Sequence, residues 1–236
     1  MNQKRLRRQK KQKGFTLIEL LIVTSILSLL MFTGTYSYSL FTNKWQDELG
    51  QFNHSNKQAM GFHRIQTLLT NIIPYVIVKD NKQPAFFFIG AKDSILSITH
   101  DGLFSNDSAE AFRLTVVKTQ TGKYNLLYQA QSLENTAILT ESQGIEFTQE
   151  LVLAEQFDQI SFTYFGWSSY YDKRANDYET KVGQHMWYSR YSGLDRQLNP
   201  EQIKVLLTQN EKTMTILISL DQTTGRLLSS YFDNDN

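Results

Sequence analysis

From Phe15 to Phe32 the chain runs through eighteen residues with a single charge, Glu19. The thirteen residues before Gly14 hold seven lysines and arginines (Lys4, Arg5, Arg7, Arg8, Lys10, Lys11, Lys13) and no acid. Eighteen residues make about 27 Å of helix at about 1.5 Å per residue, close to the minimum that crosses a hydrocarbon core. A basic cluster directly before such a run stays on the cytoplasmic side of a membrane. The expectation is a single-pass protein with its N-terminus in the cytoplasm and the rest of the chain on the far side of the membrane.

That rest has the opposite charge. Without the basic start, 17 Lys and Arg face 23 Asp and Glu, a net charge of −6. An acidic body has no cationic surplus for nucleic acid, so none is expected as a partner. The chain has no cysteine, which excludes disulfides, thiolate metal sites and cysteine nucleophiles together.

Glu19 decides between the readings of the apolar run. A secretory signal would end in a small-residue cleavage site, and no Ala-x-Ala pattern follows Phe32. A plain anchor has no reason to carry a carboxylate that costs roughly 2.5–3.5 kcal/mol on insertion scales. The run Gly14-Phe15-Thr16-Leu17-Ile18-Glu19 resembles the processing site of type IV prepilins and type II secretion pseudopilins. The resemblance implies cleavage by a prepilin peptidase between Gly14 and Phe15, N-methylation of Phe15, and a role for Glu19 in assembly. Glycine suits the cut because a bare backbone enters a protease cleft closely. The new α-amino group, with a pKa of about 8, is largely cationic at neutral pH. A carboxylate one helical turn away can pair with it, or with a neighbour's in an assembly.

Helical periodicity continues past the membrane run. Phe41, Trp45, Leu49, Phe52, Ala59, Phe62, Ile65, Leu69 and Ile72 recur at steps of three, four or seven and stop before Pro74. From Trp45 onward this stripe is expected to pack on a sheet, with Gly34, Gly50 and Gly61 weakening the helix and favouring a bend.

Beyond Pro74 the period moves toward two. Strands are expected at 75–79, 85–89, 95–99, 112–118, 124–129, 160–165, 203–208 and 214–220, with hairpin turns at Thr121-Gly122-Lys123 and Gln209-Asn210-Glu211-Lys212. The fold class is therefore α+β with a mainly antiparallel sheet. With the resemblance it becomes a type IV pilin-like fold, a long N-terminal helix, half transmembrane, packed on a sheet head. The expected segments are a leader at 1–14, a membrane helix at 15–33, its continuation at 34–73 and the head at 74–236.

Within the head, residues 166–199 form a long loop rich in aromatics. Trp167, Tyr170, Tyr171, Trp187 and Tyr188 suit a protein–protein surface, or else extend the core. The stretch Glu155–Trp167, then Trp187, then Leu198–Val205 is similar to the C-terminal part of type II secretion minor pseudopilin J.

Sites for chemistry are not evident. His54, His63, His100 and His185 have no zinc-ligand spacing, and P-loop, Gly-x-Ser-x-Gly and dinucleotide fingerprints are missing. Asp101, Asn106 and Asp107, and again Asp172, Asp177 and Glu179, have oxygen ligands that fit turns better than calcium. No cofactor, metal or catalytic residue is expected, and the chain is not expected to be an enzyme. The resemblance implies a minor pseudopilin in the tip complex of a periplasmic pseudopilus, with other minor pseudopilins and the major pseudopilin as partners. A minor type IV pilin for pilus assembly, adhesion or DNA uptake is the alternative.

Overall fold

The computed structural model describes residues 14–105, 108–177 and 184–220. The leader residues 1–13, and Asn106, Asp107, Tyr178 and Glu179, lie outside the described residues, as do the side chains of Leu49, His54 and Asp177. Two compact units divide the chain, Met1–Asn56 and Lys57–Asn236.

In the first unit the described residues from Leu17 onward are helix. Helix α1 (Leu17–Thr70) begins in it, and Leu17–Gln46, which holds an 18-residue window of mean hydropathy 2.1, is long and apolar enough to cross a membrane. Several of its hydroxyls fold back onto the helix. Ser25 donates to the Leu21 carbonyl (2.8 Å), Ser28 to Thr24 (2.8 Å), Thr35 to Met31 (2.8 Å) and Thr42 to Tyr38 (2.7 Å). Folding a polar group back onto the preceding turn is what lets an apolar helix carry it. Phe41 and Trp45 sit one turn apart with ring centroids 5.5 Å from each other.

The expectation that core packing starts at Trp45 is corrected. Trp45 is 54% and Phe52 66% exposed, and Ala59 is also exposed. The buried face of the helix begins at Gly61 and runs through Ile65, Leu68 and Leu69. Large aromatics beyond an apolar span satisfy the same spacing rule when they belong to the boundary region of a membrane segment. Periodicity alone does not tell the two apart.

The second unit contains the head. Its strands among the described residues are β1 (Val76–Val78), β2 (Pro84–Phe86), β3 (Ile89–Gly90), β4 (Ser94–Thr99), β5 (Glu110–Lys118) and β6 (Tyr124–Ser132). They continue with β7 (Gln149–Phe157), β8 (Gln159–Trp167), β9 (His185–Tyr188), β10 (Tyr191–Ser192), β11 (Gln202–Gln209) and β12 (Lys212–Ser219). Three antiparallel sheets result, in the orders β1-β2, β10-β3-β4-β5-β6-β7 and β12-β11-β8-β9. The α+β expectation holds.

Strand β7 escaped the sequence reading. Its residues Gln149–Phe157 do not alternate cleanly, since the neighbours Leu153 and Ala154 are both buried and Glu155 and Gln156 both exposed. A bulge explains the lost period: the β6–β7 register shifts near Leu126, and Gln156 has φ 63°. The expected loop at 166–199 is also corrected. It holds helix α2 (Tyr170–Asp177), β9, β10 and helix α3 (Gly193–Arg196).

The main core lies between the last turns of α1 and the two larger sheets. Ile65, Leu68, Leu69 and Ile72 meet Phe112, Leu114 and Tyr128 of the six-stranded sheet and Phe162, Tyr164, Ile203 and Val205 of the four-stranded one. Gly61 takes part by having no side chain. A Cβ there would stand 2.1 Å from the Leu153 carbonyl oxygen, so helix and β7 backbone touch directly. A smaller cluster, including Ile77, Phe87, Ile98, Ile138 and Leu194, packs on the other face of the six-stranded sheet.

Helix α1 ends at Thr70, short of the expected residue 73. Ile72 bridges to Thr99, and the Ile73 N–H donates to the Ile98 carbonyl at 3.0 Å. Strand β4 claims these residues, and Pro74 could not have continued the helix. The carbonyl just past the helix is covered as well. Asn71 O accepts from the His100 N–H at 2.9 Å and from the Thr99 hydroxyl at 3.1 Å.

Candidate functional site

Two features were singled out by the sequence: the start of α1 and the aromatic excursion after β8. Gly14 and Phe15 precede the helix, and Phe15 is 83% exposed. Thr16 is the residue on which α1 closes its first turn. Its carbonyl accepts from the N–H groups of Glu19 (3.1 Å) and Leu20 (3.3 Å). The Glu19 N–H also lies 3.4 Å from the Thr16 hydroxyl oxygen. In return the Glu19 carboxyl reaches back, with Oε2 accepting from the Thr16 N–H (3.3 Å) and the Thr16 hydroxyl (3.2 Å).

This reciprocal arrangement is a capping box. Thr16 occupies the N-cap and Glu19 the third helical position, while Phe15 and Leu20 stand where a hydrophobic staple places its apolar pair. The signal was legible, since a threonine three residues before a glutamate ahead of an apolar run announces a helix start. An amine is the partner expected for Glu19 from the sequence; in the structure Thr16 already serves its carboxyl. Only Oε2 is used; Oε1 accepts no hydrogen bond among the described residues.

The aromatic excursion is split by the sheet it belongs to. Register pairs Phe165 with Trp187 and Trp167 with His185, so these four share one face of β8 and β9. Trp167 stacks on the His185 ring at 4.4 Å with planes 7° apart, and Trp187 lies 5.3 Å from Phe165. Lys204 of β11 places its ammonium 3.9 Å from the Trp187 ring centroid. Trp167 and Trp187 are half-buried and accessible from outside the sheet.

Tyr188 points the other way. It packs against the main core, with its ring 4.0 Å from the Arg196 guanidinium and 6.1 Å from Tyr191. Grouping it with the surface aromatics is corrected, because one residue along a strand reverses the face. Tyr170 and Tyr171 sit on α2, 6.2 Å apart, and Tyr171 is 75% exposed. The structure thus joins Trp167 and Trp187, and separates Tyr188 from them.

Two organising residues gave no sequence signal. Arg196 donates to the carbonyls of Trp167 (3.1 Å) and Ser168 (3.2 Å) while facing Tyr188 and Tyr191. Glu201 accepts from His185 (2.8 Å) and pairs with Lys173 (3.5 Å), which fastens β9 and α2 to the start of β11. Asp172, one of the oxygen ligands considered, lies in the first turn of α2, where its N–H donates to the capping Ser169 hydroxyl (3.1 Å). The Ser168 hydroxyl, and after it Ser169, hold its carboxyl below the usual aspartate range. His63 meets Thr67 at 3.1 Å on the exposed side of α1, and His100 meets Asp101 at 2.8 Å. Among the described residues no cluster of three His, Asp or Glu is placed to hold a metal.

Residues 9–34 match the prokaryotic N-terminal methylation motif, which is type IV prepilin-like. The match supports the pilin and pseudopilin family, and it implies processing by a prepilin peptidase and association with a membrane. A long apolar N-terminal helix with antiparallel sheets is the architecture that goes with it, a pilin-like α+β fold. The single apolar helix is consistent with a single-pass anchor. Comparison with curated proteins gives no match to the chain.

Proposed function

We propose that this chain is a minor pseudopilin of a type II protein secretion system, working in the complex that starts the periplasmic pseudopilus. The peptidase cuts between Gly14 and Phe15, Phe15 is N-methylated, and α1 holds the subunit in the inner membrane with its head in the periplasm. Its role is assembly, not catalysis. Head and helix recruit companion subunits, and that complex seeds head-to-tail addition, a contact that repeats without closing.

The observation that carries the reading is the methylation motif over residues 9–34, set on an apolar helix whose one acid lies one turn from the proposed new terminus. The secretion assignment is supported by the C-terminal likeness. Its three pieces, in β8, β9 and β11, are neighbours in one sheet, as parts of a shared structural unit would be.

Glu19 supplies the test, because capping and charge can be separated. Glutamine also completes a capping box but has no charge to offer an amine. Glu19→Gln in the full chain should be processed, as intact mass of the membrane-extracted protein reads, and should fail to enter assemblies. Glu19→Ala should fail as well. Normal assembly of Glu19→Gln would reduce Glu19 to a cap and remove the assembly role.

A further inference from the structure

We propose that Thr16 is a positioning residue for Glu19, and that the two oxygens of the Glu19 carboxyl have separate duties. This rests on the assembly reading of Glu19 and adds a second residue to it. The Thr16 amide (3.3 Å) and hydroxyl (3.2 Å) both address Oε2, and neither addresses Oε1. Holding Oε2 fixes the carboxyl over the first turn of the helix and restricts its rotamers before any partner arrives. Oε1 is left to accept from the ammonium of a neighbouring copy or companion subunit. The acid is therefore never without a donor in an apolar medium, where an unpaired carboxylate is costly. It need not break its cap in order to bind.

The cut proposed between Gly14 and Phe15 leaves this device whole. Every group in it belongs to Thr16, Glu19 or Leu20, on the retained side. The carboxyl is thus prepared in the precursor and is the same after processing. A residue that orients a binding group without touching the partner acts by lowering the ordering cost of the contact. Its effect should therefore vanish once the group it orients can no longer bind.

The experiment uses the full chain in its native membrane, comparing wild type, Thr16→Val, Thr16→Ser, Glu19→Gln and the Thr16→Val/Glu19→Gln double variant. Intact mass reports processing, and sizing of detergent-solubilised membranes reports the fraction in complexes larger than the monomer. Valine keeps the shape and removes the hydroxyl, and serine restores it. Thr16→Val should be processed normally and lose at least about tenfold of the assembled fraction, the scale of one hydrogen bond to a charged group. Thr16→Ser should stay within about twofold of wild type. The double variant should be no worse than Glu19→Gln alone, since coupled residues are non-additive.

Wild-type assembly of Thr16→Val, beside a defective Glu19→Gln, would overturn the positioning role and leave the assembly reading standing. Normal assembly of Glu19→Gln would sink the assembly reading itself. Loss of processing in Thr16→Val would also overturn the proposal, because Thr16 would then be read by the peptidase.

Discussion

At the scale of residues, the buried acid of the head is closely paired. Glu110 is fully buried, and its carboxyl accepts from the Tyr128 hydroxyl at 2.6 Å and from the Phe104 N–H at 3.2 Å. Burial, and after it the Glu110 carboxyl, push the Tyr128 phenol far above its ordinary value, so it remains a neutral donor. Tyr128→Phe should lower stability by about 1–3 kcal/mol, the cost of leaving a buried acceptor unmet, as thermal unfolding of the detergent-solubilised chain would show. Asp158 works at the surface. Its carboxyl takes the Lys123 ammonium and the Asn210 N–H (2.8 Å), which joins the β5–β6 and β11–β12 turns. Lys123 first, then Asn210, lower the Asp158 pKa below its ordinary 3.8. A depressed carboxyl stabilises the folded state above its unfolded pKa and loses that contribution as pH falls through the folded one. The stability gap between wild type and Asp158→Asn should therefore be full at neutral pH and close on acidification below 3.8. A gap unchanged across that range would exclude the turn-joining contact as its source.

At the scale of elements, the turns and the better strands were legible because local chemistry settles them. Asn210 and Glu211 take φ of 49° and 65°, the mirror-image pair that a two-residue hairpin requires, and Gly122 takes φ 83° in the other predicted turn. Strands β8 and β11 alternate over eight or nine residues with one buried face, and were read almost to the residue. What was not legible depended on contacts distant in sequence. β7 is bulged, α2 is short and polar, and β9 owes its place to pairing with β8 and to the clasp at Glu201. Gly61 is the sharpest case. Sequence reasoning made it a weak point in a helix, whereas the structure makes it the point of contact with β7. Gly61→Ala raises helix propensity by about 1 kcal/mol and should still destabilise, by about 1–3 kcal/mol, because the added methyl meets backbone that cannot step aside. A rise in melting temperature on that substitution would show that the close approach is not needed.

At the scale of the whole molecule, the candidate site divides by the kind of information that specifies it. The start of α1 is encoded within six consecutive residues, Gly14 to Glu19, so the motif was readable locally, though not the threonine's part in the helix cap. The aromatic face needed the β8–β9 register, which no local pattern supplied, and Tyr188 was misplaced for that reason. Deleting the chain gives the prediction that belongs at this level. Loss of protein secretion with surface pili intact is the expected phenotype. Loss of pili or twitching with secretion intact would move the chain to the minor type IV pilins.

The junction at Thr99 has a mechanical corollary. A pull along α1 would reach the head through its buried face from Gly61 on and through the residues just past the helix, where Asn71 and Ile73 are tied to His100, Thr99 and Ile98. The tie to β4 is not at a sheet margin: β4 is flanked by β3 and by β5, the latter along its whole length. Tension would be shared among neighbouring strands, shearing many bonds at once, and no single strand would peel away first.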